Sequence, residues 1–294
     1  MPQKPKVSVM QITNRYGNID ILWADMKRQS FTDWELVLVD GLWREREKEV
    51  KEYINDKRLN YVRQSDKNPQ ALTNLAHADN DGFRNCHGEL IVCLQDYIWC
   101  GPEALSTFWG HYTRLGDCLI TGVGHQYSNP SKEHIVNPNG KITVFKEPYT
   151  RRPDNRVWND PRMRLDQGSF YETAPVNWEL NFCSISRKII YELGGMDINY
   201  DYYGFAWDNV NIAQRAEMLG YKTYIDQTNE CMGFQHDEWW PNPLKVEKKS
   251  PAEYHFKVLQ AMAEGTAPIR LPYLDKSDTI LLTEYRPSKE APTT

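Results

Sequence analysis

The feature that most constrains the fold is Trp34–Asp40, an almost uninterrupted apolar segment that ends in an aspartate and is followed by Gly41. A strand inside a parallel sheet is covered by helices on both faces, so it is apolar along its whole length. The segment therefore predicts a buried parallel strand. Because parallel neighbours need a crossover connection, usually a helix, this strand implies further βαβ units around it.

Short apolar segments recur along the first part of the chain and alternate with segments of helical periodicity. The predicted strands are residues 7–12, 34–40, 59–62, 90–94 and 118–123, and the predicted helices begin near residues 19, 44, 71 and 102. The helix over 71–86 is predicted to be interrupted near residues 80–82. This alternation is typical of an α/β fold with a mostly parallel, Rossmann-like central sheet flanked by helices.

Polar side chains follow three of the predicted strands, where Thr13, Asp40 and Asp96 stand at the carboxyl ends. Ligands of such sheets bind beyond these ends. Each residue could also end its strand without touching a ligand. Their equivalent placement nevertheless favours a ligand site at this edge of the sheet.

The second half of the chain is less regular. Residues 125–177 are rich in Pro, Asn, Arg and aromatic residues and lack periodicity, which is typical of a functional loop or lid. Helical or strand-like patterns return over 182–193, 209–219 and 250–264. We predict a single domain over 1–240 that contains this insertion, followed by a C-terminal helical extension and tail over 241–294.

Composition restricts the functional classes. The formal net charge of −5 argues against a general nucleic-acid scaffold. The six cysteines show neither a CxxC pair nor zinc spacing, so we expect reduced, packed thiols. We see no signal-peptide pattern and no apolar run of the roughly 18 residues that a membrane span needs. These observations lead us to expect a cytoplasmic protein without a transmembrane segment.

The segment 194–224 carries the most specific motif. It contains Gly-Gly-Met-Asp at 194–197, Trp-Asp-Asn at 207–209 and Gly-Tyr at 220–221. It resembles the GGFDE…GWGxED…R…GY segment of glycosyltransferases with a GT-A fold. Residues 34–40 resemble the family's WELIIVDDGS entry, and residues 80–89 resemble its RNxGxxxAxGE segment. The resemblance, to family 2-like members, spans most of residues 6–236.

The resemblance implies an inverting transferase that moves a sugar from a nucleoside-diphosphate sugar, UDP-linked, to an acceptor hydroxyl. In that reading Thr13 and Arg15 line the nucleotide pocket, and Asp40 accepts a hydrogen bond from the uracil N3–H. Asn80 contacts the donor, although it could equally be a polar helix breaker. Asp79 stands where the family has an arginine.

The resemblance also implies a metal site. Gln95-Asp96-Tyr97 falls at the family's Asp-x-Asp motif, whose carboxylates hold a divalent cation on the diphosphate, but only Asp96 remains acidic. His236 matches a late histidine ligand, which would suit Mn²⁺ better than Mg²⁺. Asp96 could instead cap its strand, and His236 could be a packed surface histidine. Metal independence therefore stays open.

The Trp-Asp-Asn motif implies the catalytic and acceptor groups. Asp208 is the leading candidate for the general base, because Asn209 stands where the family has a second carboxylate and an amide accepts no proton at neutral pH. Asp208 could alternatively cap the helix after it, which would lower its pKa. Trp178, Asn181, Trp207 and Asn209 match acceptor-side positions of the family.

Three functions stay open from the sequence. The first is glycosyl transfer to a glycan or polysaccharide precursor. The second is transfer to DNA that carries a hydroxymethylated pyrimidine, through the basic stretch 141–171, where the local excess over 141–164 is about +4. The candidate DNA contacts are Arg151, Arg152, Arg156, Arg162, Arg164, Trp158 and Phe170. The third is a GT-A domain that binds ligands without catalysis.

Overall fold

A computed structural model describes residues 4–15, 17–127, 156–158, 160–163, 168–204, 206–234 and 250–274. Within these ranges the chain forms ten strands and seven α-helices. The strands are β1 Val7–Thr13, β2 Trp34–Asp40, β3 Leu59–Arg63, β4 Leu90–Leu94, β5 Ile98–Cys100, β6 Leu119–Tyr127, β7 Arg156–Trp158, β8 Phe170–Thr173, β9 Phe182–Ser186 and β10 Thr223–Phe234. The helices are α1 Ile19–Arg28, α2 Trp43–Tyr53, α3 Leu75–Asn85, α4 Ala104–Leu115, α5 Arg187–Leu193, α6 Asp208–Met218 and α7 Pro251–Ala263.

The strands form one sheet in the order β3-β2-β1-β4-β9-β6-β10-β5, with β7 beside β6 and β8 beside β10. β1 lies between β2 and β4 and is parallel to both, and β3 continues parallel beyond β2. β9 is antiparallel to β4 and β6, whereas β10 is parallel to β6. β1, β2, β3, β4, β6 and β10 thus run in one direction, which confirms the expected α/β fold with a mostly parallel sheet.

The apolar character of β2 follows from two separate cores, one on each face of the sheet. Leu36 and Leu38 pack into a core with residues of α1, α2 and α4. Val37 and Val39 point the other way, into a core with residues of α3, α5 and α6. Each buried side chain of this size contributes about 1.5–3 kcal/mol, so both faces of the strand stabilise the fold.

The predicted interruption of the third helix is wrong, because α3 is continuous through residues 80–82. Gly82 is not a breaker: a Cβ there would lie 2.3 Å from Met10 Sδ, so glycine lets the helix approach the sheet closely. The helix also begins at Leu75 rather than near residue 71. Its first turn is capped from outside by Asp201, whose carboxylate accepts hydrogen bonds from the backbone N–H groups of residues 75–77.

The described parts of the 125–177 insertion contain more regular structure than expected. They include β7, β8 and a short 3-10 helix at Pro175–Asn177. β8 pairs antiparallel with the first residues of β10, so the end of the insertion belongs to the central sheet.

The C-terminal extension contains the expected helix. α7 is capped by Ser250, whose hydroxyl accepts the N–H of Glu253 at 3.3 Å. The chain then returns to the main body, where the N–H of Leu271 donates to the carbonyl of Leu193 at 2.8 Å. The predicted tail at 287–294 lies outside the described residues, and the boundary at residue 240 stays a prediction.

All six cysteines are buried free thiols. Of the helices that the structure describes, none combines the length and the apolar character that crossing a bilayer requires.

Candidate functional site

A cavity of about 1500 Å³ opens at the carboxyl ends of the parallel strands. Its walls come from the loops after β1, β2, β3 and β4, from one face of α3, from the segment before β9 and from the start of α6. Polar and charged residues in these walls are Asn14, Arg15, Arg44, Gln64, Ser65, Asp66, Lys67, Thr73, Asn74, Asp79, Gln95, Asp96, Glu179, Asn181, Asp208 and Asn209. The predicted ligand edge of the sheet is therefore a real concavity.

The cations in the cavity wall are Arg15, Arg44 and Lys67, and Arg44 Nη2 is paired with Asp66 Oδ1 at 2.6 Å. Arg15 Nη1 lies 2.9 Å from Asp96 Oδ1, and the Asp96 side chain is only 8% exposed. Burial raises the pKa of Asp96 to about 6, although Arg15 and Arg46 act in the opposite direction. This pair joins the ends of β1 and β4, as expected for residues that meet one ligand.

The described residues by themselves do not fit a resident divalent cation. No group of three or more His, Cys, Asp or Glu side chains within them could hold a metal ion. Asp96 offers a single carboxylate, and one of its oxygens is already paired with the Arg15 guanidinium. His236, the second expected ligand, lies outside the described residues.

The structure corrects the expected role of Asp40, which lies behind the cavity wall rather than in it. Its carboxylate is fully buried and accepts hydrogen bonds from Arg46 Nε at 2.7 Å and Nη2 at 2.9 Å. Tyr61 Oη at 2.5 Å and the N–H of Leu42 at 2.8 Å complete its shell. With these partners Asp40 has no free oxygen for a uracil ring.

The expectation that Thr13 lines the nucleotide pocket is corrected for the same reason. It is buried, and its hydroxyl accepts from Arg46 Nη2 at 3.3 Å and from the N–H of Arg15 at 3.4 Å. Arg46, which the sequence analysis missed, thus ties together the ends of β1 and β2. Its only sequence signal is an arginine in the first turns of a helix that directly follows Asp40.

Asn80 has a structural role at the Gly-Gly turn. Its amide accepts the N–H of Met196 at 2.8 Å and donates to the carbonyl of Met196 at 3.0 Å. Gly195 has φ +93°, and a Cβ there would lie 2.3 Å from Asn80 Oδ1. Arg215, buried in α6, donates to the carbonyl of Gly195 at 2.5 Å. The expectation that Asn80 contacts the donor is therefore corrected. The contacts of Asn80 and Arg215 instead hold the backbone of the motif at 194–197.

The expected contact of Trp178 with the acceptor is also corrected, because its side chain is 0% exposed and offers no face to a ligand. Its indole Nε1 donates to the carbonyl of Ser184 at 3.4 Å, inside the core on the α3 side of the sheet. Its backbone carbonyl accepts a hydrogen bond from Asn209 Nδ2 at 2.8 Å. The tryptophan therefore anchors the start of α6 instead of stacking on a sugar.

The hydrogen bond to the Trp178 carbonyl explains why residue 209 is an asparagine. A carboxylate at this position would face the Trp178 carbonyl oxygen without a proton to donate, whereas the amide satisfies it. The departure from the family pattern at this position therefore has a packing reason. Asn209 still reaches the cavity wall, as do Asn181 and Trp207.

We predict that Asn209→Asp, which restores the family's second carboxylate, destabilises the protein by about 1–3 kcal/mol without raising turnover, because a buried acceptor loses its donor. Urea denaturation of both proteins measures the change. Asn209→Ala separates the loss of the hydrogen bond from the added charge. Higher turnover at unchanged stability in Asn209→Asp would contradict this explanation.

Asp208, the predicted general base, lies at the cavity wall. It is the first residue of α6, and the helix is preceded by Ala206 at φ 94° and Trp207 at φ 74°. Left-handed backbone at two successive non-glycine residues costs of the order of 1–3 kcal/mol each and is typical of functional loops. The strained turn directs the carboxylate toward the cavity.

The pKa of Asp208 is shifted opposite to the capping expectation. Burial raises it above the usual value for aspartate, by more than the hydrogen bonds from the backbone N–H groups of Asn209 and of Asp208 itself lower it. Repulsion from Asp201 adds to the rise. A carboxylate with a raised pKa is a stronger base once it is ionised.

The C-terminal helix α7 supports this turn from outside. The Trp207 ring packs on His255 with ring centroids 4.7 Å apart and on Phe256 at 5.5 Å. His255 Nδ1 lies 2.8 Å from Tyr200 Oη, and burial lowers the pKa of His255 to about 4, so the ring is neutral. The sequence carried no signal for this contact, because the partners are about 50 residues apart along the chain.

Two side chains of the basic stretch 141–171 form contacts within the protein. Arg162 pairs with Asp160 and donates to Thr121 Oγ1 at 3.0 Å, and Phe170 stacks on His111 with centroids 4.2 Å apart. The expectation that these two side chains meet DNA is therefore corrected. The side chains of Arg151, Arg152, Arg156, Arg164 and Trp158 lie outside the described residues.

Taken with the cavity at the strand ends, the sheet order defines the GT-A fold, and solved structures share it. GalNAc-T7, solved with UDP, GalNAc and Mn²⁺, superposes with a TM-score of 0.61 over 96% of this chain and 54% of its own, at 16% identity. S. aureus TarS 1–349, solved with UDP, gives 0.51 over 78% and 60%, at 13% identity. This chain therefore spans little more than half of each. No family model and no curated protein sequence matches it.

Proposed function

We propose that the protein is a glycosyltransferase that uses a UDP-sugar and transfers the sugar, with inversion, to a hydroxyl of a glycan or polysaccharide precursor. The observation that carries this proposal is the arrangement of one cavity at the carboxyl ends of the sheet, with Arg15 and Asp96 in one wall and Asp208 in another. The UDP present in both solved neighbours supports the choice of nucleotide.

In this proposal Arg15 and Lys67, which both line the cavity, bind the diphosphate. Arg15 is half-buried beside Asp96, and a phosphate oxygen would compete for the same guanidinium. Arginine suits this role because its planar fork of donors matches phosphate oxygens. Lys67 adds positive charge to the cavity wall, whereas the charge of Arg44 is offset by Asp66.

Asp208 acts as the general base. The oxygen of the acceptor hydroxyl attacks the anomeric carbon of the transferred sugar, the bond from that carbon to the diphosphate oxygen breaks, and the hydroxyl proton passes to the Asp208 carboxylate. Trp207, Asn209 and Asn181 line the cavity near this carboxylate and would orient the acceptor. Attack opposite the leaving group inverts the anomeric centre.

For a divalent cation, Mn²⁺ or Mg²⁺, the candidate protein ligands would be Asp96 and His236. Its contribution when bound is to stabilise the negative charge that develops on the leaving diphosphate. Because the described residues do not complete a coordination shell, no step of the proposed reaction depends on it.

A glycan acceptor is favoured over DNA by the contacts of the described basic residues. Arg162 is committed to Asp160, Thr121 and a backbone carbonyl, and Phe170 is stacked between His111 and Tyr224. Neither side chain is available for a phosphate or an extruded base.

We expect UDP and UDP-sugars, but not GDP or TDP, to raise the thermal unfolding temperature. A ligand at 100 times its dissociation constant stabilises the native state by about 2.7 kcal/mol. Differential scanning fluorimetry with and without Mn²⁺ measures the shift. Arg15→Met should reduce it, whereas Arg58→Met, whose guanidinium lies on Trp34 outside the cavity, should not. Absence of any shift with every UDP-sugar, together with no hydrolysis, would refute the proposal.

A further inference from the structure

Asp79 is a buried carboxyl group without a hydrogen-bond partner among the described residues. It lies on α3, one turn after Leu75, and both residues form part of the cavity wall. The residue is 5% exposed. The sequence resemblance places an arginine here, so the family pattern does not explain the acid.

The neighbouring acids differ from Asp79 because each has donors. Asp201 accepts from Thr73 Oγ1, from His77 and from backbone N–H groups of α3. Asp81 accepts from the N–H and the hydroxyl of Ser65. Asp208 accepts the N–H of Asn209. Asp79 lines the cavity and has no protein donor among the described residues, so its carboxyl group is open to hydrogen bonds from a ligand in the cavity.

The surroundings of Asp79 favour its protonated form. Burial is the main cause that raises its pKa well above the usual value, and the negative charges of Asp208 and Asp201 act in the same direction. His77 is paired with Asp201, and Cys93, on β4, is a buried thiol. Within the described part of the chain, no cation lowers the pKa of Asp79. A neutral carboxyl group both donates and accepts a hydrogen bond, as a sugar hydroxyl does.

We propose that Asp79 forms a hydrogen bond with a hydroxyl group of the transferred sugar and so helps to determine which sugar the protein accepts. This inference rests on the proposed function. Asp79 lies on the cavity wall with Met10 and Cys93, which belong to the central strands, so it lines the floor. The charge of Asp208 acts on Asp79, so Asp79 lies near the proposed base and near the sugar carbon that is attacked there.

Two substitutions of similar size test the proposal. Asp79→Asn keeps one donor and one acceptor group, whereas Asp79→Leu has neither. We expect kcat/KM for the UDP-sugar to fall about 50-fold in Asp79→Leu and only about fivefold in Asp79→Asn, as is usual for loss and partial replacement of one buried hydrogen bond. Binding of UDP alone, measured by calorimetry, should stay within about twofold of wild type in both variants.

Equal loss of turnover in both variants would mean that Asp79 acts as a carboxylate, and unchanged turnover in both would mean that it does not touch the sugar. Either result overturns the proposal. Loss of UDP binding in parallel with turnover would instead assign Asp79 to the fold or to the nucleotide, which overturns it as well.

A second readout does not depend on turnover. An acid whose pKa is raised by folding binds its proton more tightly in the native state, so stability falls as pH rises above the unfolded-state value. We expect wild type to lose thermal stability relative to Asp79→Asn between pH 5 and pH 8. A parallel pH dependence of the two proteins would show that Asp79 is not held neutral. If wild type neither binds nor hydrolyses any UDP-sugar, the proposed function fails, whereas this measurement still tests the state of Asp79.

Discussion

Replacing Asp208 by Asn is expected to lower kcat about 10²- to 10⁴-fold, the usual contribution of a general base. The variant keeps the shape of the side chain, and its amide oxygen can still accept the N–H of Asn209, which lies 2.9 Å from Asp208 Oδ1. It removes a buried ionisable group, so the fold should not lose stability. Initial rates of sugar transfer, or of UDP-sugar hydrolysis without acceptor, measure the effect.

The pH dependence gives an independent check of the same assignment. Because burial raises the pKa of Asp208, kcat/KM should fall on acidification at a higher pH than for an exposed aspartate, since the protonated group cannot accept the hydroxyl proton. Asp117→Asn, which removes an acid that pairs with Lys188 outside the cavity wall, is the matched control. Equal turnover in wild type and Asp208→Asn would place the base elsewhere.

Replacing Asp40 by Ala is expected to lower the free energy of unfolding by about 3–5 kcal/mol, because it leaves the buried Arg46 guanidinium without its counter-charge. Arg46 Nε and Nη2 both donate to this carboxylate, and the Arg46 side chain is only 2% exposed. Tyr61 and the N–H of Leu42 lose an acceptor in the same variant. Urea denaturation at several denaturant concentrations gives the value.

A double variant separates the ion pair from the packing. Asp40→Leu combined with Arg46→Met removes both charges and should be less destabilising than Asp40→Ala alone, because no unpaired charge stays buried. The result also tests the original interpretation of Asp40. Loss of UDP affinity at unchanged stability would restore the uracil contact that the sequence suggested.

The sequence could predict the elements whose signal is local. The apolar run of β2 requires cover on both faces, and its two cores confirm it. The alternation of strands and helices predicted the parallel sheet, and the polar residues after β1 and β4 predicted the edge where the cavity lies. Arg15, Asp96, Asn181, Trp207, Asp208 and Asn209 all reach that cavity.

The errors fall on residues whose partners are distant in the chain. Asn80 was expected to break α3, but its amide is used by Met196, 116 residues later. The helix continues there because the competing hydrogen bonds of the side chain are satisfied outside it. Trp178 matched an acceptor position by its spacing, yet its direction into the core depends on the carbonyl of Ser184 and on Asn209.

By itself the sequence determined the order of strands and helices and the edge of the sheet where the cavity lies. It also determined the single acid in each of the motifs at 95–97 and 207–209. Hydrophobic periodicity and motif spacing are properties of neighbouring residues, so they can be read without the tertiary structure. Only the tertiary structure decided which polar groups face the cavity and which face each other. That choice depends on hydrogen bonds between distant segments. They pair Asp40 with Arg46, and among the described residues they leave Asp79, near Asp208, without a hydrogen-bond partner.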